Sequence, residues 1–224
     1  MRPAAALVAL VAACAGSPPR IHAARPSARD DLPLAVGSRW IYEGTHVTGE
    51  GTKPLRLVAE VEEVVAHGDV VAALVTNLPW VTYDVPPASI VARRGSQVWI
   101  VAAGDEALRW LRDPGAPLAA LVHDAPPLLD LPLTAGAQRC DVDPEMAPMY
   151  CTSVEEGEGG PDLTKIAGLP AGPHEQLMVI YRTNPDDTEI WLVPGVGVTG
   201  YGYHHHGSLD DIDLRAVEVR LKDR

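Results

Sequence analysis

The sequence predicts a mainly β protein: a single curved antiparallel sheet or half-barrel with one or two short helices. Three observations lead there. Apolar alternation with period two, the mark of a half-buried strand, recurs along the chain. Gly (20) and Pro (21) are plentiful among the 224 residues, so turns are frequent. Only one segment combines helical spacing with helix end signals. Phe is absent, so Trp and Tyr supply the aromatic volume of the core, with Val and Leu filling most of the rest.

Taken in order, "SRWIYEGTHV" (38–47) alternates and is aromatic. In "PLRLVAEVEEVVAHGDVVAALVTNLPWVTYDV" the residues Leu55, Leu57, Ala59 and Val61 share one face, with Arg56 and Glu60 on the other. After Glu62-Glu63 the apolar phase moves to Val64-Val65, which predicts a bulge, and Gly68-Asp69 turns the chain. "SIVARRGSQVWIVAA" is a hairpin turning at Gly95-Ser96. "GDEALRWLRDPG" is the helix, with Asp105 near its start, Ala107, Leu108 and Leu111 on its apolar side, and Pro114-Gly115 as its stop. "APLAALVHDAPPLLDLPL" has no clean period and is expected to be a loop over part of the core. From Glu175 onward three strands in a meander are expected: "EQLMVIYRT", "TEIWLVPGVGVTGYGYHH" and "DDIDLRAVEVRL", with a turn at Asn184 to Asp187 and a bulge near Ala216. Pro194-Gly195-Val196-Gly197 is a strand-breaking kink, since Pro removes a ladder donor and Gly opens conformations closed to other residues. A phosphate-binding glycine loop would open a helix instead.

The first residues set the expected compartment. "MRPAAALVALVAACAGSPPR" has one cation, Arg2, then an apolar run over Ala4 to Ala13. Such a run is a secretory signal, too short for the roughly 20 residues of a membrane-spanning helix. Val11-Ala12-Ala13-Cys14 resembles the bacterial lipobox. That resemblance implies cleavage before Cys14, acylation of that residue with palmitate among the acyl chains, and anchoring to the membrane. Ala15 is not acidic, which under the lipoprotein sorting pattern implies the outer membrane, facing the periplasm; ordinary secretion is the alternative. The expected organisation is a signal peptide over 1–13, lipidated Cys14 with a flexible tether over 14–31, and a single β-rich domain over 32–224.

The net charge is −12, and −13 once Arg2 leaves with the signal. An acidic surface disfavours nucleic acid, whose recognition uses Lys and Arg to release counterions. Besides Cys14, the chain has only Cys140 and Cys151. In an oxidising compartment this pair is expected to form a disulfide. The rival thiolate metal site lacks the Cys-x-x-Cys spacing and a nearby His.

The frame Leu32-Pro-Leu-Ala-Val-Gly-Ser-Arg-Trp is echoed by Leu131-Pro-Leu-Thr-Ala-Gly-Ala-Gln-Arg. Both read Leu-Pro-Leu-x-x-Gly at the start of a strand, as two related sheet halves would. With "EIWLVPGVGVTGYGYHHHGSLDDIDLRAVEVRL", "LPLAVGSRWIYEG" resembles a large group of uncharacterised bacterial secreted proteins and lipoproteins. Their shared frame is a Leu-Pro-Leu-x-x-Gly-x-x-Trp-x-Tyr opening and a Trp-x-x-Pro-Gly-Val-Gly closing segment. The group is similar to the curved sheets of periplasmic lipoprotein carriers and their outer-membrane receptors. The resemblance implies an architecture and brings no catalytic residues.

No enzyme activity and no cofactor are expected. The chain has no Gly-x-Ser-x-Gly elbow, Ser96, Ser153 and Ser208 sit in polar or turn-like contexts, and neighbouring acids such as Glu62-Glu63 and Asp210-Asp211 point to opposite faces of a strand. Two binding readings are carried forward. Trp40, Trp80, Trp99 and Trp191 could line a pocket for an apolar ligand, though tryptophans more commonly fill a core, and an envelope protein is the other partner expected. In "YGYHHHGSLDDID", His204 and His206 are two apart on a strand and could chelate a metal with Asp210 across a hairpin. The simpler reading is a set of hydrogen-bonded histidines at a hairpin tip.

Overall fold

The structure, a computed structural model, describes residues 32–80, 85–140 and 149–222. The predicted signal peptide, Cys14 and the tether lie outside these residues. Among the described residues twelve strands build one antiparallel sheet. Its first six are β1 (Arg39–Thr48), β2 (Gly51–His67), β3 (Val70–Thr76), β4 (Ala88–Arg94), β5 (Gln97–Ala102) and β6 (Leu129–Asp130). Its last six are β7 (Gln138–Cys140), β8 (Cys151–Glu156), β9 (Leu177–Arg182), β10 (Asp186–Val193), β11 (Gly197–His205) and β12 (Asp210–Arg220). The spatial order is β6-β5-β4-β3-β2-β1-β12-β11-β10-β9-β8-β7. Each strand pairs with its neighbour in sequence, and β12 joins β1 over the whole length of β1. The exception is β6 and β7, which follow one another in the chain but form the two edges of the sheet.

Those edges lie close together. Arg139 on β7 reaches Asp130 on β6 with an Nη1···Oδ2 distance of 3.4 Å. Two ends of a twelve-strand order meet only if the sheet rolls round on itself. Its inner face is therefore the one whose side chains form a single cluster: Trp40 and Tyr42 of β1, Val61 of β2, Val75, Val91, Val98, Val154, Leu192, Tyr201 and Leu214. The result is a half-barrel with one open seam, between β6 and β7.

The sheet consists of two halves of six strands, β1–β6 and β7–β12, joined through β1 and β12, and the echoed motif opens each. Leu32 leads into β1, and Leu131 and Leu133 lead into β7, all buried. Gly37 N–H donates to Val61 O (2.8 Å) and Gly136 N–H to Val154 O (2.7 Å). Val61 N–H donates back to Ser38 O (2.9 Å), and Val154 N–H to Ala137 O (2.9 Å). Both glycines have positive φ, +81° and +88°, a region that costs other residues steric strain. The motif is thus a turn that sets register at the start of each half.

The two predicted bulges fall where the phase changes place them, and a third, at Thr199 of β11 against β10, had no such signal. Glu62 is the extra residue of β2 against β3, and Val217 that of β12 against β1. A bulge frees ladder groups, and at Val217 the β8–β9 connection takes them up. Ala167 N–H donates to Val217 O (2.9 Å) and Ala167 O accepts from Val219 N–H (2.8 Å). The next residue, Gly168, has φ +78° and a Cβ there would collide with Val219 O.

Two expectations need correction. The run after the predicted helix is not simply a loop: it contains a second helix, α2 (Leu118–Val122), and β6. Its apolar pattern is aperiodic because helix, extended chain and strand follow one another within a few residues. The last segment holds four strands rather than three, since Pro194-Gly195 is a tight turn between paired β10 and β11. The predicted helix is α1 (Asp105–Arg112), with Asp105 and Glu106 in its first turn and Arg109 and Arg112 in its last, as the helix dipole favours. Its buried residues are Ala107, Trp110 and Leu111, with Trp110 taking the place expected of Leu108. α1 and α2 cover the outer face of β3–β5, packing on Val70, Ala72, Ile90, Ala92 and Trp99.

Candidate functional site

The histidine run lies at one end of the sheet, where β1, β10, β11 and β12 end or begin. Each histidine there donates to its own aspartate. His46 Nε2 lies 2.7 Å from Asp210, His204 Nδ1 3.3 Å from Asp211, His205 Nδ1 2.6 Å from Asp186 and His206 Nε2 3.1 Å from Asp187. β11 is flanked by β10 and β12, so His204 turns to one neighbouring strand and His206 to the other. The predicted set of His204, His206 and Asp210 is therefore not brought together, because Asp210 is taken by His46. Among the described residues no three His, Cys, Asp or Glu side chains gather to hold a metal ion.

Asp186 is the best connected of these carboxylates. Besides His205 it accepts from the Tyr203 hydroxyl (2.7 Å), and Thr183 lies 3.4 Å from its other oxygen. Burial pushes its pKa up, but the hydrogen bonds from His205 and Tyr203 outweigh burial and hold it below the ordinary value.

The predicted tryptophans do not line one pocket, because alternation divides them between the faces. Trp40 and Trp80 are inside, buried in the inner cluster. The Trp80 indole N–H has no acceptor among the described residues. Trp99 is outside, under the helices, and donates to Ala125 O (3.0 Å). Trp191 is also outside, lying over Gly200 and Gly202 with the Arg215 guanidinium 4.2 Å above its ring. Glycines at those positions leave room for the indole, and the cation meets its negative face.

The inner face is closely packed around the opening motif. Trp40 N–H donates to Val196 O (2.8 Å) and the Tyr42 hydroxyl to Val198 O (2.9 Å), so the opening motif clasps the closing motif 156 residues away. Burial pushes the Tyr42 hydroxyl pKa up, so it stays a protonated donor. Leu32, Pro33 and Leu34 lie over this clasp beside Val75, Val91 and Ile100, leaving a cavity of about 20 Å³. That is room for a water molecule, not for a lipid chain.

A larger groove opens at the seam. It holds about 210 Å³ and is lined on one side by Trp99, Ile100 and Val101 of β5 and on the other by Arg139 and Thr152 of β7 and β8. Val122 and the segment Ala125 to Leu128 form its outer wall. The groove exists because β6 is short. Leu128 N–H still reaches Val98 O (2.8 Å), but Pro126 and Pro127 have no N–H to continue the ladder, and the chain leaves β5 there. On the opposite edge Cys140 and Cys151 are register partners joined by a disulfide, which fastens β7 to β8. Only Trp99 of the groove residues stood out in the sequence. The proline pair was the available signal for the rest, since it bars a strand from continuing along β5.

No family model matches the chain, and no curated protein matches it. It is similar to a crystal structure described as a putative lipoprotein from Parabacteroides distasonis, with 12% identity, covering 87% of this chain and 100% of that one, at a TM-score of 0.42. It is also similar to a structure described as a putative exported protein with YmcC-like fold from Bacteroides fragilis, again at 12% identity, covering 86% of this chain and 99% of that one, at a TM-score of 0.37.

Proposed function

We propose that this is a lipid-anchored protein of the cell envelope, fixed to the outer membrane through Cys14 and facing the periplasm, that works by binding rather than by catalysis. Its binding surface is the open seam and not the interior of the half-barrel. One observation carries this reading: the cavity beside the Trp40 and Tyr42 clasp holds about 20 Å³ and the seam groove about 210 Å³. An apolar ligand inside the sheet would have to displace the Trp40 and Tyr42 clasp, whose donors would then be left buried and unpaired. At the seam an occupant meets apolar side chains and strand edges without disturbing that core.

The reading is tested in two arms. Palmitate labelling in a Gram-negative host is expected to mark the wild-type chain and not Cys14→Ser. Thr152→Trp fills the groove, and is expected to abolish cross-linking to envelope components that wild type shows. Absence of label in wild type defeats the anchoring, and cross-links that persist in Thr152→Trp defeat the seam.

A further inference from the structure

We infer that the seam accepts one extended strand of a partner polypeptide, which pairs by its backbone with the free edges of β5 and β7. The inference rests on the seam as binding surface and adds the chemistry of its occupant.

The two halves of the sheet meet at two joints. At one, β12 lies along β1 from Arg39 to Thr48, with Ile212, Leu214, Ala216 and Val219 turned to the interior. At the other, β6 and β7 stand in the equivalent places, since β1 and β7 begin with the same turn and the same hydrogen bonds. There no long strand stands among the described residues, for β6 has two residues and β7 three. The molecule thus supplies its own template for the occupant: a strand alternating apolar inside and polar outside, as β12 does.

The edges are prepared for pairing. In an antiparallel ladder the N–H and C=O of one residue point to the same neighbour, and those of the next residue to the other. Val98 O accepts from Leu128, so Val98 and Ile100 face the seam side of β5. Ala137 O accepts from Val154, so Ala137 and Arg139 face β8, while Gln138 and Cys140 face the seam. The backbone of Ile100 therefore looks across the groove toward that of Gln138 and Cys140. Adjacent strands are spaced roughly 4.8 Å apart, and an occupant adds one such spacing between the edges. Its inward side chains would meet Ile100 and Thr152, its outward ones Trp99, Val101 and Val122. Arg139 and Asp130 span the seam at its edge, with side chains 35% and 59% exposed, and screening by solvent makes that pair readily displaced. β-Augmentation of this kind draws affinity from main-chain bonds and selectivity from alternate side chains.

The probe is a fluorescein-labelled synthetic peptide with the sequence of Asp210 to Arg220, titrated by anisotropy against the full chain in detergent. Binding is expected in wild type and in Gln138→Ala, and about tenfold weaker in Gln138→Pro, which removes a seam-facing donor at an exposed edge position. Circular dichroism and thermal melting establish that each variant is folded. Thr152→Trp is expected to block the peptide as well. No binding up to about 1 mM peptide, or binding that survives Gln138→Pro, overturns the inference. If Thr152→Trp still blocks while Gln138→Pro does not, the seam binds but not by strand pairing. Dimerisation of the free chain that Gln138→Pro abolishes would assign the seam to a second copy and also overturn it.

Discussion

At the scale of single residues, the contacts that decide the fold join positions far apart in the chain. Trp40 and Tyr42 were legible as strand aromatics, but their acceptors on Val196 and Val198 were not, because alternation tells which face a residue takes and not which strand lies opposite. Tyr42→Phe leaves Val198 O buried without its donor and is expected to cost about 1–3 kcal/mol in urea unfolding. Gly44 lies where β1 passes β12, and a Cβ there would overlap Asp213 O. Gly44→Ala is expected to destabilise by about 1–3 kcal/mol through overpacking, measured the same way. The histidine run looked like a chelate because the sequence places His204, His206 and Asp210 close together. In space His46, which the sequence keeps remote, takes Asp210 first. The pKa of Asp186 is held below its ordinary 3.8 in the fold. A carboxylate depressed in the folded state contributes stability that is present above the unfolded value and is lost as pH falls through the folded one. Unfolding below about pH 4 should therefore be less steep in Asp186→Asn than in wild type, which a series of melts from pH 5 downward measures.

At the scale of elements, the strands and α1 were legible wherever a single period ran for six residues or more. The bulges at Glu62 and Val217 could be read from changes of apolar phase, and the one at Thr199 could not. α2 and β6 could not, since five helical residues and two strand residues are shorter than the windows over which periodicity shows. The turn at Pro194-Gly195 read as a kink because the strands on either side are both apolar, so nothing in the pattern marks a reversal. The disulfide was read from the compartment and the cysteine count. Its place in the sheet explains its use: β7 is a three-residue edge strand whose pairing with β8 would otherwise fray. A Cys140→Ala/Cys151→Ala double variant is expected to lose up to about 3 kcal/mol, and faster amide exchange should be confined to β7 and the adjoining end of β8.

At the scale of the whole molecule, the echo of Leu-Pro-Leu-x-x-Gly indicated two sheet halves, and the structure shows six strands in each with the same turn at the start. The curvature of the sheet was expected, but the meeting of its two edges and the seam between them were not legible. They follow from what the strands do not reach, and a missing pairing leaves no pattern of its own in a sequence. The seam accounts for both the packed inner face and the open groove: closure between β1 and β12 packs the core, while Pro126 and Pro127 keep the opposite joint apart. The most direct measurement is residue-resolved amide exchange by NMR on the free protein. An open seam predicts fast exchange at Ile100 and Gln138, whose N–H groups face it, beside slow exchange at the amides of β1 that pair with β12. Protection at Ile100 and Gln138 equal to that of the β1–β12 joint would mean that the sheet is closed, and would contradict the account.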